Sequence, residues 1–220
     1  MIRQFLKDLR PVKFKLVNET TFWDTYQVQE YVEDAFDIVI DIGACQGDFT
    51  ILCRHLFPAA QIYSYEANPY MFEQLKKNTA HLSNVFINNI ALGDGTPLRF
   101  RLKDEETTVD PNGKVEVVSS TLKTMIETQR IDLKKRILFK CDTEGSEFYF
   151  INDEHAEIIK AMKHIGLETH FANTRGKFIS HLASTNDFHA QDKWLRTTLV
   201  GRNIYYKGSG FHGFGLYVVR

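Results

Sequence analysis

The chain has few cysteines. Cys45, Cys53 and Cys141 are the three that occur among its 220 residues, and no pair of them has the CxxC spacing. A structural zinc site needs several clustered ligands and a disulfide framework needs closely spaced cysteines, so the sequence indicates neither. Low cysteine usage of this kind fits a reducing compartment, and we predict a cytoplasmic protein.

The chain also lacks an excess of charge of either sign. It has 27 basic and 28 acidic residues, whereas proteins that bind nucleic acids usually carry a concentrated positive excess, so we predict no nucleic-acid partner. Charges interrupt every apolar run near the N-terminus, which predicts neither a secretory signal nor a membrane span. The helical spacing of Ile2, Phe5 and Leu9 leads us to expect that residues 1–36 form a helical segment packed on a single domain spanning 1–220.

What the sequence does contain is a regular alternation of short β-rich runs and amphipathic stretches. Predicted strands cover residues 37–42, 61–65, 85–88, 137–142 and 163–168, and predicted helices begin near Gly47, Tyr70, Thr121 and Ser146. Such alternation is typical of a parallel sheet with helices on both faces. We therefore predict an α/β fold of the Rossmann-like, doubly wound type.

Two segments depart from this alternation. Residues 97–103 and 114–119 alternate as strands around Asp110-Pro-Asn-Gly113, a strong turn signal, which predicts a β-hairpin inserted over residues 97–119. Near the C-terminus, the runs NIYYK and GLYVVR flank a glycine-rich stretch and predict an antiparallel pair. The predicted sheet is therefore mostly parallel and ends in an antiparallel C-terminal hairpin.

The segment DIGACQG, residues 41–47, directly follows the first predicted strand. In α/β sheets, ligands bind outside the carboxyl ends of the strands, near the point where the strand order reverses. Glycines at 43 and 47 let the main chain approach a ligand closely. An acidic residue at the end of the second strand can hold the hydroxyls of a ribose, and Glu66 stands there, about 20 residues beyond the loop. The segment therefore predicts a ligand that contains a nucleoside.

The details of this loop favour a methyl donor over a dinucleotide. A dinucleotide fingerprint has a second glycine that makes room for the pyrophosphate, and that position is Cys45 here. Asp41 places a carboxylate beside the loop, where it repels a pyrophosphate but can receive an ammonium group through water or backbone groups. S-adenosylmethionine carries an ammonium, a sulfonium and a ribose but no phosphate. We therefore predict S-adenosylmethionine as the cofactor.

A second polar cluster lies in FKCDTEGSEF, residues 139–148, where a predicted strand ends before a predicted helix. Ser146 and Glu147 have a simple explanation as a helix cap and as a charge that favours the helix dipole. Asp142 and Glu144 do not, because they point the same way at the carboxyl edge of the parallel strand. We therefore expect these two carboxylates to face the ligand.

Four motifs together resemble the FkbM family of S-adenosylmethionine-dependent methyltransferases: DIGACQGDFT, SYEANP, NNIALGD and KCDTEGSE, in this order over roughly residues 37–150. The resemblance implies the class I methyltransferase fold and a single methyltransferase domain. It implies that the residues binding the cofactor are Asp41, Gly43, Ala44, Gly47, Glu66, Asn68, Asn89, Ala91 and Asp142. It also implies that Asp142 and Glu144 face the transferred methyl group. The family commonly has Asn where this chain has Cys45, so no side-chain contact is carried over to that position.

Glu168 and His170 are two residues apart in GLETH, so in an extended chain they share one face beside the Asp142 strand. His170 can take a proton from an acceptor hydroxyl, with Glu168 or Asp142 orienting it, or it can simply satisfy a carboxylate. We predict that Asp142, Glu144, Glu168 and His170 are catalytic. The same side chains can ligate a divalent metal ion, but no fixed motif requires one, and a metal is not predicted.

The predicted function is therefore S-adenosylmethionine-dependent methyl transfer, with O-methylation of a small-molecule or sugar hydroxyl favoured. The predicted partner is a small-molecule or glycan acceptor, the glycan being suggested only by the family. Two alternatives stay open. A non-catalytic module that binds the adenosine cofactor would tolerate loss of the carboxylates, and their presence as a group speaks against it. An NAD-linked oxidoreductase or epimerase is less favoured because no Tyr-x-x-x-Lys pair follows the fourth strand.

Overall fold

A computed structural model of the chain describes residues 36–101, 108–170, 188–209 and 214–220. The predicted N-terminal helical segment, residues 1–36, lies outside these ranges except for Phe36. Within the described ranges, no helix combines the length and apolar character that crossing a bilayer requires.

The strands fall into one large sheet and two small ones. They are β1 (Ile38–Ile42), β2 (Gln61–Tyr65), β3 (Val85–Asn88), β4 (Ala91–Leu92), β5 (Leu98–Arg101), β6 (Thr108–Val109), β7 (Val115–Val117), β8 (Ser119–Ser120), β9 (Ile137–Cys141), β10 (His164–His170), β11 (Ile204–Ser209) and β12 (Phe214–Val219). The large sheet has seven strands in the order β11-β12-β10-β9-β1-β2-β3. Five neighbouring strands of this sheet pair in parallel, in the spatial order β10-β9-β1-β2-β3. Strand β12 pairs antiparallel with both β10 and β11.

This topology confirms the predicted fold class. The chain builds β1, β2 and β3 outward in one direction and then returns to place β9 on the other side of β1. The strand order therefore reverses between β1 and β9, and the crevice between their carboxyl ends is where α/β proteins bind ligands. The antiparallel C-terminal pair, β11 and β12, is also present as predicted.

The described helices are α1 (Asp48–Leu56), α2 (Pro69–Thr79), α3 (Leu122–Thr128), α4 (Ala156–Ala161) and α5 (Phe188–Thr198). The starts predicted near Gly47, Tyr70 and Thr121 are confirmed. Asn68 caps α2 by accepting hydrogen bonds from the backbone N–H groups of Tyr70 and Met71, and Pro69 occupies the first helical position. These local signals explain why this start could be read from the sequence.

The prediction of a regular α-helix that begins near Ser146 is wrong. The chain makes only a short 3-10 helix at Glu147–Tyr149, and α4 begins later, at Ala156. The cause is the Glu147 side chain, which folds back to accept hydrogen bonds from the backbone N–H groups of Thr143 and Gly145. A side chain that bonds to the preceding loop competes with the regular helical pattern.

The inserted segment is larger than the predicted hairpin. Strands β5 and β7 pair antiparallel as expected, with Leu98 opposite Val117, but β6 adds a third strand on the other edge of β5. The Asp110-Pro-Asn-Gly113 turn therefore connects β6 to β7 rather than two paired strands. The correction arises because β6 is two residues long, too short to leave a periodic signal in the sequence.

Residues of β1 alternate between the two faces of the large sheet. Ile38, Ile40 and Ile42 join an apolar cluster with residues of α3, α4 and α5, whereas Val39 packs with Phe49 and other residues of α1. Successive strand residues point to opposite faces, so Asp41 must share the α1 face with Val39. This parity decides where the Asp41 carboxylate lies.

Candidate active site

The loop between β1 and α1 is held by backbone conformations that favour glycine. Gly43 and Gly47 have φ values of 76° and 101°, and Cys45 has a φ of 49°. The N–H groups of Gly43 and Ala44 both donate to the carbonyl of Tyr65 at the end of β2. A Cβ atom at Gly43 would lie 1.7 Å from the Asp142 carbonyl oxygen. Glycine is therefore required here because the backbones following β1 and β9 nearly touch.

Replacing Gly43 by alanine is expected to destabilise the fold by about 3 kcal/mol or more, because the clash is with backbone and the φ value is unfavourable. Gly95→Ala is a matched control. Gly95 also has a positive φ, 98°, but a Cβ there meets no atom within 4 Å. Its cost should be about 1 kcal/mol, from backbone strain alone. Urea unfolding of both variants measures the difference, and equal losses of stability would show that the close approach is unimportant.

Glu66 follows β2 and closes the other side of the loop. Its side chain is largely buried, and its two carboxylate oxygens accept hydrogen bonds from the backbone N–H groups of Cys45 and Asn68, each at 2.7 Å. Burial raises the pKa of Glu66, although these hydrogen bonds act in the opposite direction. Each carboxylate oxygen can accept another hydrogen bond, which is what two ribose hydroxyls need. Cys45 contributes its backbone here, so the change from the family's Asn leaves this contact intact.

A cavity of about 210 Å³ lies at the carboxyl ends of β1, β2 and β9. Its polar lining consists of Gly43, Cys45, Glu66, Asn68, Asp142, Thr143, Glu144 and Ser146, and its apolar lining consists of Ile42, Tyr65, Ala67, Met71, Ile90, Ala91, Leu92 and Phe100. The cavity therefore joins one buried carboxylate on the β2 side to two carboxylates on the β9 side. Phe100 comes from β5, so the inserted sheet contributes to the wall.

The carboxylates after β9 form a cluster with β10 around His170. Its Nδ1 lies 2.9 Å from Oε1 of Glu147, and its Nε2 lies 3.5 Å from Oε2 of Glu144 and 3.6 Å from Oε1 of Glu168. Burial lowers the pKa of His170, but contacts with Glu147, Glu168 and Glu144 raise it overall to well above its usual value. The ion pairs therefore favour the protonated form of His170, which suits it to hold the carboxylates in place.

The two carboxyls that line the cavity have unusual acidities. Burial, followed by the nearby charge of Glu168, raises the pKa of Asp142 to about 6. Burial also raises the pKa of Glu144 to about 7, with the charge of Asp142 adding to the effect while His170 opposes it. A carboxyl with a pKa near neutrality can both accept and release a proton at working pH. Glu144 and Asp142 are thus better candidates for a general base than His170.

Asp142, Glu168 and His170 each place one potential ligand atom within 4.8 Å of the others. Carboxylate and imidazole donors of this kind can hold a divalent cation. Ligation would need a neutral imidazole, however, whereas the ion pairs of His170 favour the protonated ring. A divalent cation would therefore compete with a proton for this imidazole.

The family model described as the methyltransferase FkbM domain matches residues 41–199, well over half of the chain. The chain belongs to the FkbM methyltransferase family. The cofactor is therefore S-adenosylmethionine, as the sequence predicts. No curated protein sequence matches the chain significantly.

Several solved methyltransferase structures are distantly similar to this FkbM methyltransferase. The precorrin-6y C5,15-methyltransferase of Geobacter metallireducens is 15% identical, with 88% of this chain and 84% of that chain covered and a TM-score of 0.45. A SAM-dependent methyltransferase from Aquifex aeolicus is 14% identical, with coverages of 90% and 92% and a TM-score of 0.40. The Aeropyrum pernix fibrillarin, solved with S-adenosyl-L-methionine, is 9% identical, with coverages of 84% and 67% and a TM-score of 0.47. Likenesses this distant say nothing about the acceptor.

The structure of this FkbM methyltransferase separates the predicted site residues into two groups. Those that line the cavity are Gly43, Glu66, Asn68, Ala91, Asp142 and Glu144. Those that are described but lie outside its lining are Asp41, Ala44, Gly47, Asn89, Glu168 and His170. Most of the second group supports the first. The Asn89 side chain donates to the carbonyls of Glu66 and Ala67, and Glu168 and His170 contact the cluster that includes Glu144.

The Asp41 carboxylate does not line the cavity, so the expectation that it faces the ligand is wrong. It is fully buried on the α1 face, where it accepts a hydrogen bond from the Thr50 hydroxyl at 2.7 Å and pairs with Lys140 at 3.2 Å. The sequence reasoning missed Lys140, which is a buried ammonium group in a strand. A lysine inside an otherwise apolar run, ILFKC, is the signal that could have revealed it, because a buried charge requires a partner.

Proposed function

We propose that this protein transfers the methyl group of S-adenosylmethionine to a hydroxyl oxygen of a small molecule or sugar. The observation that supports this most strongly is one cavity that contains both Glu66 and the carboxylates Asp142 and Glu144. Glu66 has the position and hydrogen-bonding capacity to hold ribose hydroxyls. Asp142 and Glu144 have pKa values of about 6 and about 7, so they can remove a proton from a hydroxyl.

The residues of the cavity fit the cofactor in chemical character. Met71, Ile90 and Leu92 supply apolar surface of the kind that an adenine ring needs, and Glu66 offers two acceptors for the ribose. Glu144 and Asp142 supply negative charge that suits a sulfonium. The bound cofactor supplies an activated methyl group.

The chain's own contribution to the reaction is alignment and proton transfer. The chain would have to hold an acceptor oxygen in line with the methyl–sulfur bond of the bound cofactor, so that the O–C bond would form as the C–S bond breaks. Holding the reactants in this alignment is worth roughly 7 to 11 kcal/mol at best. The hydroxyl proton passes to the carboxylate of Glu144, while His170 and Glu147 hold that carboxylate and its neighbours in position.

The charge of the cluster supports a neutral acceptor. Asp142, Glu144, Glu147 and Glu168 gather around His170, and Lys140 is a second cationic side chain that acts on Asp142, so these four carboxylates outnumber the two cations. When the carboxylates are ionised this region is negative, which disfavours a phosphorylated or carboxylated acceptor. A neutral alcohol or an uncharged sugar fits this electrostatic environment best.

The test combines ligand binding with product analysis. Calorimetry should show binding of S-adenosylmethionine and S-adenosylhomocysteine but not of NAD. Incubation with methyl-labelled S-adenosylmethionine and a small-molecule extract of the source cells should then yield a product labelled at oxygen, identified by mass spectrometry. Label at nitrogen or carbon would overturn the O-methylation proposal, and binding with no label transfer would favour the non-catalytic alternative.

A further inference from the structure

A buried ion pair lies directly beneath the glycine loop. Asp41 of β1 and Lys140 of β9 are partners in the parallel register, and their side chains are 0% and 3% exposed. Lys140 Nζ lies 3.2 Å from Asp41 Oδ1, and Thr50 donates a hydrogen bond to the other oxygen, Oδ2. The Thr50 hydroxyl also contacts the Ser64 hydroxyl at 2.7 Å, and Ser64 is the register partner of Asp41 in β2. One polar row therefore crosses the three strands that carry the cofactor cavity.

The ammonium of Lys140 also reaches the loop itself. It donates a hydrogen bond of 2.6 Å to the carbonyl of Gly43, a residue that lines the cavity. On its other side the same peptide group donates, through the N–H of Ala44, to the carbonyl of Tyr65 at 3.0 Å. Lys140 and the end of β2 together therefore fix the orientation of the first peptide of the loop. A positive charge thus sits one peptide group behind the cavity wall.

We infer that Lys140 positions the glycine loop for the cofactor, and that Asp41 neutralises Lys140 so that the cavity accepts the positively charged sulfonium of S-adenosylmethionine. The inference rests on the cofactor assignment but not on the identity of the acceptor. S-adenosylmethionine carries a sulfonium, whereas S-adenosylhomocysteine carries a neutral thioether. An ammonium without its ion-pair partner behind the cavity wall should therefore weaken the binding of S-adenosylmethionine more than the binding of S-adenosylhomocysteine.

Asp41→Asn tests this effect because it keeps the size of the side chain but removes the negative charge that pairs with Lys140. We expect the ratio of the affinity for S-adenosylmethionine to that for S-adenosylhomocysteine to fall about tenfold. In the double variant Asp41→Asn with Lys140→Met, neither charge remains, and the ratio should return to the wild-type value. Both ligands should nevertheless bind more weakly than to wild type, because the Gly43 carbonyl has lost its donor.

The double variant also guards against loss of folding, since replacing a buried ion pair by neutral groups of similar size is often well tolerated. Isothermal titration calorimetry measures both ligands, and circular dichroism checks the fold of each variant. A parallel loss of both affinities in Asp41→Asn, or a ratio that stays low in the double variant, would overturn the inference. Neither result affects the methyltransferase proposal, which is tested on the wild-type protein through binding and label transfer.

Discussion

Glu66→Ala is expected to weaken the binding of S-adenosylmethionine by about 100-fold or more, because hydrogen bonds to a charged group are worth about 1.5 to 3 kcal/mol each. The variant removes the acceptors proposed for the ribose hydroxyls. It also leaves the N–H groups of Cys45 and Asn68 without the carboxylate oxygens they now donate to. The loss should apply equally to S-adenosylhomocysteine, since both ligands carry the same ribose. Calorimetry with the two ligands measures it.

Two further variants define what that loss means. Glu73→Gln, at an exposed position of α2, should leave both affinities unchanged because its partner Lys76 is also largely exposed. Glu66→Gln keeps one acceptor oxygen and should give an intermediate loss. If Glu66→Ala bound both ligands as tightly as wild type while remaining folded, the ribose assignment and the placement of the cofactor in this cavity would be wrong.

The position of Glu66 beside the glycine loop could be predicted because it depends on local order along the chain. A glycine loop after one strand and an acid after the next strand occupy neighbouring strand ends in any doubly wound sheet, whatever the side chains elsewhere. The same reasoning placed Asp142 beside them, since β9 returns next to β1. Strand ends are therefore the part of this site that an amino-acid pattern predicts well.

The direction of the Asp41 side chain could not be predicted in this way. Its position in the chain suggested a residue at the ligand, but its direction follows from the parity of the strand, which places it with Val39 on the α1 face. Lys140 and Ser64 join it only through the register of three strands far apart in sequence. Such pairing is a tertiary property, so the polar row could not be recognised from any single segment.

Glu147 has a larger structural role than the helix-dipole charge that the sequence predicts. Its carboxylate accepts hydrogen bonds from Thr143 and Gly145 and pairs with His170, which belongs to a strand 23 residues further along the chain. The role of Glu147 is thus to tie the loop after β9 to β10. Without that tie, the relative positions of Glu144 and His170 would depend on the loop alone.

Glu144→Gln is expected to lower turnover about 100-fold or more while leaving the affinity for S-adenosylmethionine nearly unchanged, as is typical for loss of a general base. Glu144 accepts a proton only when it is ionised. Because its pKa is raised to about 7, turnover in the wild-type protein should rise as the pH increases through that value. The glutamine variant has no such group, so this rise should disappear. Initial rates measured from about pH 5 to 9 with the acceptor identified by label transfer test both statements.

Asp142→Asn supplies the decisive comparison, because it changes the acidity of Glu144 without removing it. The charge of Asp142 contributes to the raised pKa of Glu144, so its removal should move the rise in turnover to lower pH. Exposed Glu154 is a suitable control, and Glu154→Gln should leave the pH profile where it is. A profile that stays in place in Asp142→Asn and persists in Glu144→Gln would remove Glu144 as the base. The proton would then have to pass to a group outside the pair of carboxylates that line the cavity.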